Sequence, residues 1–385
     1  MRTALDTRAW IRAGVILVAT ALSVTLFTAF SDGGNDVGHT VIAADATGIA
    51  PMAAGDPLPS ADMSTALAPI ETAAVPVARQ TNQLAQNIVN GITFGLLLAL
   101  ASVGLSLIYG TTGLSNFAHG EQVSFGAVMT YFLTTKEPVS IPLIPTTFHI
   151  GMPLVPAALL AIAAAAGTGW LQDRFLWGPL RRKHIGVVQQ MIVSIGLSLA
   201  LLNLIQWWIG GRRVRLSTSI DKRHQIGPIE IGNQTIMSMV IAIICLVGVS
   251  IFLLYTRLGR ATRAVSDNPS LAAASGIKVD MIVRLVWMLA TGLAAVGGIL
   301  LALYEQGTAF DAGARLLLLM FAAVTLGGLG QPFGALAGSL VIGLVVEVST
   351  VWLAPDLKNA TALGILILVL LFRPQGILGR AERVG

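Results

Sequence analysis

The stretch TRLGRATRAVSDNPSLAAASGIKVD, residues 256–280, decides how the chain is read. It is a polar, basic interruption between two segments, 236–255 and 281–304, that are each apolar enough to cross a bilayer. A span takes about 20 apolar residues. Its backbone groups must be satisfied within the span, so both segments read as helices. Inside the interruption, Gly259, Arg260, Arg263, Asp267, Asn268, Ala272 and Gly276 sit among small residues, with no proline before Pro269. A solvated basic loop has such a composition. A loop that docks onto another protein also has it, and mere chain reversal does not need this much specification.

The whole chain agrees with the membrane reading. Of its 385 residues, 55% are hydrophobic and 11% charged, where soluble domains carry roughly 25% charge. Mean hydropathy is +0.78. The net charge of +5 comes from loop arginines, which orient membrane proteins, and is no sign of nucleic-acid binding. Cys245 is the single cysteine, so an intrachain disulfide and a cysteine metal site are both excluded.

Residues 1–30 open with Arg2, Arg8 and Arg12 and continue as an apolar run, which reads as a signal peptide or a signal-anchor helix. The run is longer than a usual signal core. The nearest A-x-A, Ala44-Asp45-Ala46, lies far downstream, so an uncleaved anchor is expected. Residues 31–83 are rich in Ala, Pro, Gly, Ser and Thr, with six acidic residues before Arg79, and read as a disordered extracytoplasmic tether. From 84 to 380 nine spans are expected, at 85–109, 114–135, 152–171, 187–209, 236–255, 281–304, 314–330, 333–353 and 359–373. The fold class is therefore an all-α polytopic membrane bundle. Alternation puts 172–186, 256–280 and the tail with Arg373, Arg380 and Arg383 on the cytoplasmic side, as the positive-inside rule asks. The loop 210–235, with Arg212, Arg213, Arg215, Lys222 and Arg223, falls outside as an exception. Its end, IGPIEIGN (226–233), reads as a small hairpin to which an external partner can bind.

Within GLSLIYGTTGLSNFAHGEQVSFGA (104–127), Gly110 and Gly113 break a helix, and Ser115 or Asn116 is placed to cap the next. Asn116, His119, Glu121 and Gln122 then enter an apolar span. A charge at the centre of a span costs about 2.5–3.5 kcal/mol on insertion scales, so these groups face protein or water. They mark a translocation pathway or gate, or they bond one helix to another. His119 and Glu121, two apart, point to opposite sides of a helix and make no helical two-ligand metal site. Glu347 looks like the deepest carboxylate and has the same two readings. Gly330, Gly334 and Gly338 form a small-residue stripe for close helix packing, after a break at Gln331-Pro332. Asn87, Asn90, Gln189, Gln190, Ser194, Asn203 and Gln206 read as interhelical bonding groups. G-x-x-x-x-G-K-[ST], H-E-x-x-H and G-x-S-x-G are all absent, as is a short-period repeat. The sequence implies no catalytic residue, cofactor or metal of its own. A secondary transporter would need ion-coupling carboxylates or half-helices in two matching halves, and no such halves are evident in the sequence.

NGITFGLLLALASVGLSLIYGTTGLSNFAHGE (90–121) resembles the opening of the permease subunits of branched-chain amino-acid (LIV-type) ABC importers. The resemblance continues through VVQQMIVSIGLSLAL (187–201), LGRATRAVSDNPSLAAASGI (258–277), TLGGLGQPFGALAGS (325–339) and LVLLFRPQGILG (368–379), and covers roughly 84–380. It departs from the usual pattern in residues 1–83 and at Phe333, where the family pattern has glycine directly after proline. The resemblance implies a type II ABC importer-like bundle in the bacterial inner membrane, with a cytoplasmic C-terminus. It implies cytoplasmic ABC ATPase subunits, a second related permease or a second copy, and an extracytoplasmic solute-binding protein that delivers an amino acid. It makes 256–280 the coupling segment, with Arg260 and Arg263 holding carboxylates on the ATPase. It makes Asn116, Phe117, His119, Glu121, Gln122 and Glu347 candidate pathway residues. Urea importers use a similar permease. Phe117 stands where their motif tends to carry methionine, and VVQQMIVSIG is closer to the amino-acid branch.

Overall fold

The computed structural model describes residues 82–135, 139–140, 147–148, 151–216, 221–354, 357–372 and 376. The expected anchor, nearly all of the tether, and Arg373, Arg380 and Arg383 lie outside the described residues.

The chain starts with α1, Gln83–Thr112, capped by Asn82, whose Oδ1 accepts from the backbone N–H of Leu84 and Ala85. There follow α2, His119–Thr134, a short pair β1 and β2 (Val139–Ser140, Thr147–Phe148), and α3, Leu154–Gln172. A π-helical turn, Asp173–Trp177, joins α3 to α4, Gly178–Arg182; α5 is Val187–Ile209. The expected hairpin is present as β3, Arg223–Ile226, antiparallel to β4, Ile229–Gly232. It is tied to the start of α1 by Gln86, which exchanges two hydrogen bonds with the Glu230 backbone. Then come α6 (Asn233–Tyr255), α7 (Arg257–Asp267), α8 (Pro269–Ala274), α9 (Val279–Tyr304), α10 (Ala312–Gly327), α11 (Pro332–Ser349) and α12 (Lys358–Phe372).

All nine expected spans are helical, but six helical stretches are long and apolar enough to cross a membrane alone. Two of the others, α2 and α10, have 16 residues each. Their short length reflects where they begin. His119 Nε2 donates to the carbonyl of Ala101, near the middle of α1, at 3.0 Å. Ser198, the central residue of the 23-residue α5, donates to Glu121 Oε1 at 3.3 Å. The chain therefore leaves α1 at one end of the bundle, returns irregularly through 113–118, and starts α2 at mid-depth. Gly113, with φ 68°, ends α1 as expected, but Gly110 does not break it: Gly110 stays helical and gives Gly330 room to approach. However, the residue preceding α2 is Ala118, with no side-chain cap. Asn116 Oδ1 turns instead onto the Ala118 N–H at 3.1 Å, and Ser115 does not cap either. A loop that must climb back to mid-depth has no room for an ordinary capping turn.

The second half of the bundle repeats this device, which corrects the expectation that no matching halves exist. α9, an irregular return through 305–311, and the 16-residue α10 follow the order of α1, 113–118 and α2. Val103 and Val296, Gly104 and Gly297, Phe117 and Phe310, and Gly120 and Gly313 match, the second of each pair lying 193 positions after the first. At the same spacing, Gly113 and Gln306 both adopt positive φ, 68° and 55°. The packing is reciprocal. A Cβ on Gly104 would stand 2.7 Å from the Ala290 carbonyl oxygen, and one on Gly297 would stand 3.2 Å from that of Leu97. α1 packs on α11 as α9 packs on α3, α2 takes α5 as α10 takes α12, and α6 touches both α1 and α9. The halves are inverted, since α1 and α9 run in opposite directions through the bundle centre. Their weak sequence likeness is why the pattern is invisible to a short-period search.

The stretch 256–280 is not a loop but two capped helices. Thr256 Oγ1 accepts from the Gly259 N–H at 2.9 Å, and Asn268 Oδ1 from the Leu271 N–H at 3.0 Å, with Pro269 at the first helical position. The break at Gln331-Pro332 is present, and the glycine stripe works against the preceding helix: Gly334 meets Gly327, and Gly338 meets Ala323. Gly330 is in the turn before α11, with φ 75°.

At the crossing of α2 and α10, a Cβ on Gly120 would stand 2.6 Å from the Gly313 carbonyl oxygen, and Gly313 meets Gly120 in return. Larger side chains there push two backbones apart. Gly313→Leu is expected to lower the midpoint of thermal unfolding in detergent sharply or to abolish folded protein, by overpacking of about 1–3 kcal/mol or more. Gly196→Ala, with nothing within 4 Å of the new Cβ, is expected to leave the midpoint unchanged.

Candidate functional site

The crossing gathers most of the polar residues singled out in the sequence. Asn116 and His119 are fully buried, Glu121 is 1% exposed, and Gln122 and Ser124 are buried beside them. Each is anchored on one side. The Phe117 N–H donates to Ser194 Oγ at 3.1 Å. Thr168 Oγ1 of α3 donates to Gln122 Oε1 at 2.9 Å. Ser124 Oγ accepts from the Gly313 N–H at 2.8 Å, which joins the two half-helices directly. Phe117 packs on Phe321 of α10, ring centroids 5.1 Å apart.

The other side of the cluster is unsatisfied. Asn116 Nδ2, His119 Nδ1, Glu121 Oε2 and Asp311 Oδ1 are buried with no hydrogen-bond partner, as are Ser102 Oγ and Ser106 Oγ on the neighbouring turns of α1. Asp311 immediately precedes α10, as Ala118 precedes α2. Its other oxygen is held by Arg315 at 2.6 Å. It lies close enough to Glu121 for the two carboxyl groups to interact. Buried polar groups without partners are uncommon in folded proteins and call for an explanation. Here they cluster where two uncapped helix N-termini meet.

Glu347 does not belong to this cluster. It sits two residues from the end of α11, 9% exposed, with its Oε1 bonded to Lys358 Nζ of α12 at 2.9 Å. The expectation that it is the deepest carboxylate fails: Glu121 and Asp173 are more deeply buried. A helix-to-helix bond explains Glu347 fully. Of the other polar span residues, Asn87 bonds between helices as expected, donating to Thr350 at the end of α11, whereas Gln190 and Asn203 donate locally, to the carbonyls of Ile185 and Leu199.

Asp173 was not singled out in the sequence. It is fully buried in the π-helical turn and takes Arg181 at 2.6 Å on one oxygen and Arg284 at 3.2 Å on the other. Trp177 stacks on Trp287 beneath it, at 5.3 Å and 15°. This clamp ties the α3–α4 arm to α9 at the end of the bundle that carries α7 and α8.

Of the residues expected in the segment 256–280, Gly259 and Ala272 are buried and structural. A Cβ on Gly259 would strike the backbone of Phe252, where α6 reverses into α7. Arg257, Arg260 and Arg263 are exposed along one side of α7, and Asp267 and Asn268 are exposed beyond them. Arg260 also donates to the Tyr255 carbonyl at 3.1 Å. Gly276, with φ 82°, follows the end of α8. On α8, Leu271 is 65% exposed.

Residues 87–370 match the family model described as "Branched-chain amino acid transport system / permease component". The chain is 31% identical over 307 residues to the high-affinity branched-chain amino acid transport system permease protein LivH of Escherichia coli (strain K12). That match covers 77% of this chain and 96% of LivH. It is 31% identical over 311 residues to BraD of Pseudomonas aeruginosa, covering 77% of this chain and 96% of BraD. A probable LivH of Methanocaldococcus jannaschii is 28% identical over 302 residues, covering 75% and 90%. No solved structure matches the chain.

Removing Asp173 leaves Arg181 and Arg284, both only partly exposed, without their shared carboxylate. Asp173→Ala is expected to destabilise the bundle by about 3–5 kcal/mol, the cost of breaking a buried pair. Glu347→Gln, at a pair near the bundle end, is expected to cost about 1 kcal/mol or less. Thermal unfolding in detergent checks both, and equal shifts would contradict the burial difference.

Proposed function

The chain belongs to the branched-chain amino-acid transport permease family, and from that premise we propose that it is the pathway-forming subunit of an ATP-driven importer of branched-chain or other neutral amino acids. It is a membrane transport subunit and not an enzyme. Separate cytoplasmic ATPase subunits supply the energy, a second permease or second copy completes the membrane unit, and an extracytoplasmic binding protein delivers the cargo.

The observation that carries this reading is the polar crossing of α2 and α10 at mid-depth. Half-helices that meet at the midplane are a recurrent way for transporters to build a substrate site. Irregular backbone at that depth is tolerated where it is buried or lines a cavity. The half-helices alone would also suit a secondary transporter, and family membership supports the ATP-driven reading. The arginine-bearing ends support an orientation. Arg174, Arg181, Arg182 and Lys183 lie at the same end as Arg257, Arg260 and Arg263, which supports a cytoplasmic position for that end. The contrary basic loop is partly neutralised, since Arg213 pairs with Glu305 and Arg223 with Glu230.

The α7–α8 segment is then the coupling element. Closure of the ATPase dimer pushes on it, α6 and α9 carry the displacement, and access to the crossing switches from outside to inside. The stripe Arg257, Arg260 and Arg263 meets carboxylates on the ATPase through charge-assisted bonds.

Two measurements test the proposal. Cells lacking this chain are expected to lose ATP-dependent uptake of labelled leucine and to retain urea uptake. Loss of urea uptake instead would keep the architecture and change the cargo; unchanged uptake of both would overturn the reading. In the restored strain, Arg260→Glu is expected to leave membrane abundance unchanged and reduce leucine uptake about tenfold, the effect of one charge-assisted contact. Normal uptake by that variant would remove Arg260 from the coupling surface.

A further inference from the structure

We infer that the α2–α10 crossing is a binding subsite for the amino-acid zwitterion itself, with Glu121 receiving the α-ammonium group and the amino end of α2, with Asn116, receiving the α-carboxylate. The inference rests on the transport reading and says which groups of this chain touch the cargo.

Glu121 has the properties such a receptor needs. It is held at mid-depth by Ser198, through Oε1, while Oε2 is buried and has no partner. Among the described residues, no cationic side chain pairs with it. Its charged neighbour is instead a second carboxyl, Asp311, which is paired with Arg315 through Oδ2 and has Oδ1 unpartnered. Two acceptor-bearing carboxyl groups in an apolar bundle, each with one oxygen left over, favour a small cation that donates several hydrogen bonds. A primary ammonium group does so with three donors.

The opposite pole is beside it. α2 begins with no side-chain cap at its positive end: the His119 N–H is taken by the Asn116 carbonyl at 3.3 Å, and the N–H groups that follow it receive no side-chain acceptor. Asn116 Oδ1 is used by the Ala118 N–H, so its amide is oriented with Nδ2 free to donate, and Nδ2 has no partner. An α-carboxylate accepts from both kinds of donor. The matching end of α10 is arranged otherwise: its Gly313 N–H is taken by Ser124, and the Asp311 carboxylate that precedes it is paired with Arg315. The inverted repeat thus supplies one helix end open to an anion and one that is already occupied. Phe117, packed on Phe321, lies next to Asn116 and is an apolar neighbour suited to an aliphatic side chain.

The test compares wild type, Glu121→Gln and Ser198→Ala in the strain lacking this chain. Leucine uptake, membrane abundance and binding-protein-stimulated ATPase activity of the purified complex are all measured. Glu121→Gln keeps the shape and the bond from Ser198 but removes the negative charge. It is expected to reduce leucine uptake about tenfold or more, as for a charge-assisted hydrogen bond. Abundance and stimulated ATPase activity are expected to stay near wild type, so that hydrolysis continues without transport. Uptake within about twofold of wild type would overturn the inference while leaving the transport reading standing. That reading falls only if the strain lacking the chain takes up leucine normally. Loss of uptake together with stimulated ATPase activity, at normal abundance, would make Glu121 a structural residue and also overturn the inference. If Glu121→Gln does not accumulate in the membrane, Ser198→Ala decides. It is expected to accumulate normally and lower uptake several-fold, and unchanged uptake would overturn the inference.

Discussion

The contact between the backbones of Gly120 and Gly313 is the constraint on which the rest of the bundle depends. Two helix starts can meet only if neither carries a side chain at the point of approach. They can meet at mid-depth only if the chain returns into the bundle after α1 and again after α9. The positive φ at Gly113 and Gln306 makes those returns possible. α1 and α9 then form the central pair, α11 and α3 cover them from opposite sides, and α5 and α12 close the outside of the half-helices. The fold is thus one device used twice in opposite directions, with α6, α7 and α8 inserted between the copies.

The polar groups sort by position in a way that follows from this plan. At the two ends of the bundle, charges are matched. Asp173 takes two arginines, Glu347 takes Lys358, and Arg213 takes Glu305. At the crossing Glu121 has no cationic partner among the described residues, and Asn116, His119, Glu121 and Asp311 each keep an unpartnered atom. Paired ends hold the helices together, whereas unpaired groups at the centre are costly to bury and suit a site that a moving solute satisfies. The Asp173 clamp reaches the coupling end of the bundle, because Arg284 lies in the second turn of α9, the helix that follows α8.

Much of this was legible in the sequence, and the failures have physical causes. Apolar run length found the helices, Gln331-Pro332 marked a real break, and IGPIEIGN formed the expected hairpin. Hydropathy records composition and not depth, so α2 and α10 looked like full spans. The repeat was missed because few residues match at the spacing of 193, and inversion leaves no shared topology signal. The helices within 256–280 were announced by Thr256 and by Asn268-Pro269, but their arginines suggested a loop. Asp173 escaped notice because Arg284, one of its two partners, is distant in sequence and meets it only after folding. Among the candidate residues, Asn116, Phe117, His119, Glu121 and Gln122 share the start of α2, with His119, Glu121 and Gln122 turned to α1, α5 and α3 respectively, and Glu347 lies elsewhere.

The most direct test of the account is the water accessibility of the crossing during transport. Cys245 is the only cysteine, so a Cys245→Ser background allows a single reporter to be placed at Ser198. In membranes containing the complete transporter, Ser198→Cys is expected to react with a small charged thiol reagent when ATP and loaded binding protein are present. It is expected to be protected by excess leucine. A cysteine at Ile192, on the exposed apolar side of α5, is expected to stay unreactive throughout. A Ser198 reporter that never reacts, or reacts equally with and without ATP, would contradict a substrate path through the meeting point of the half-helices.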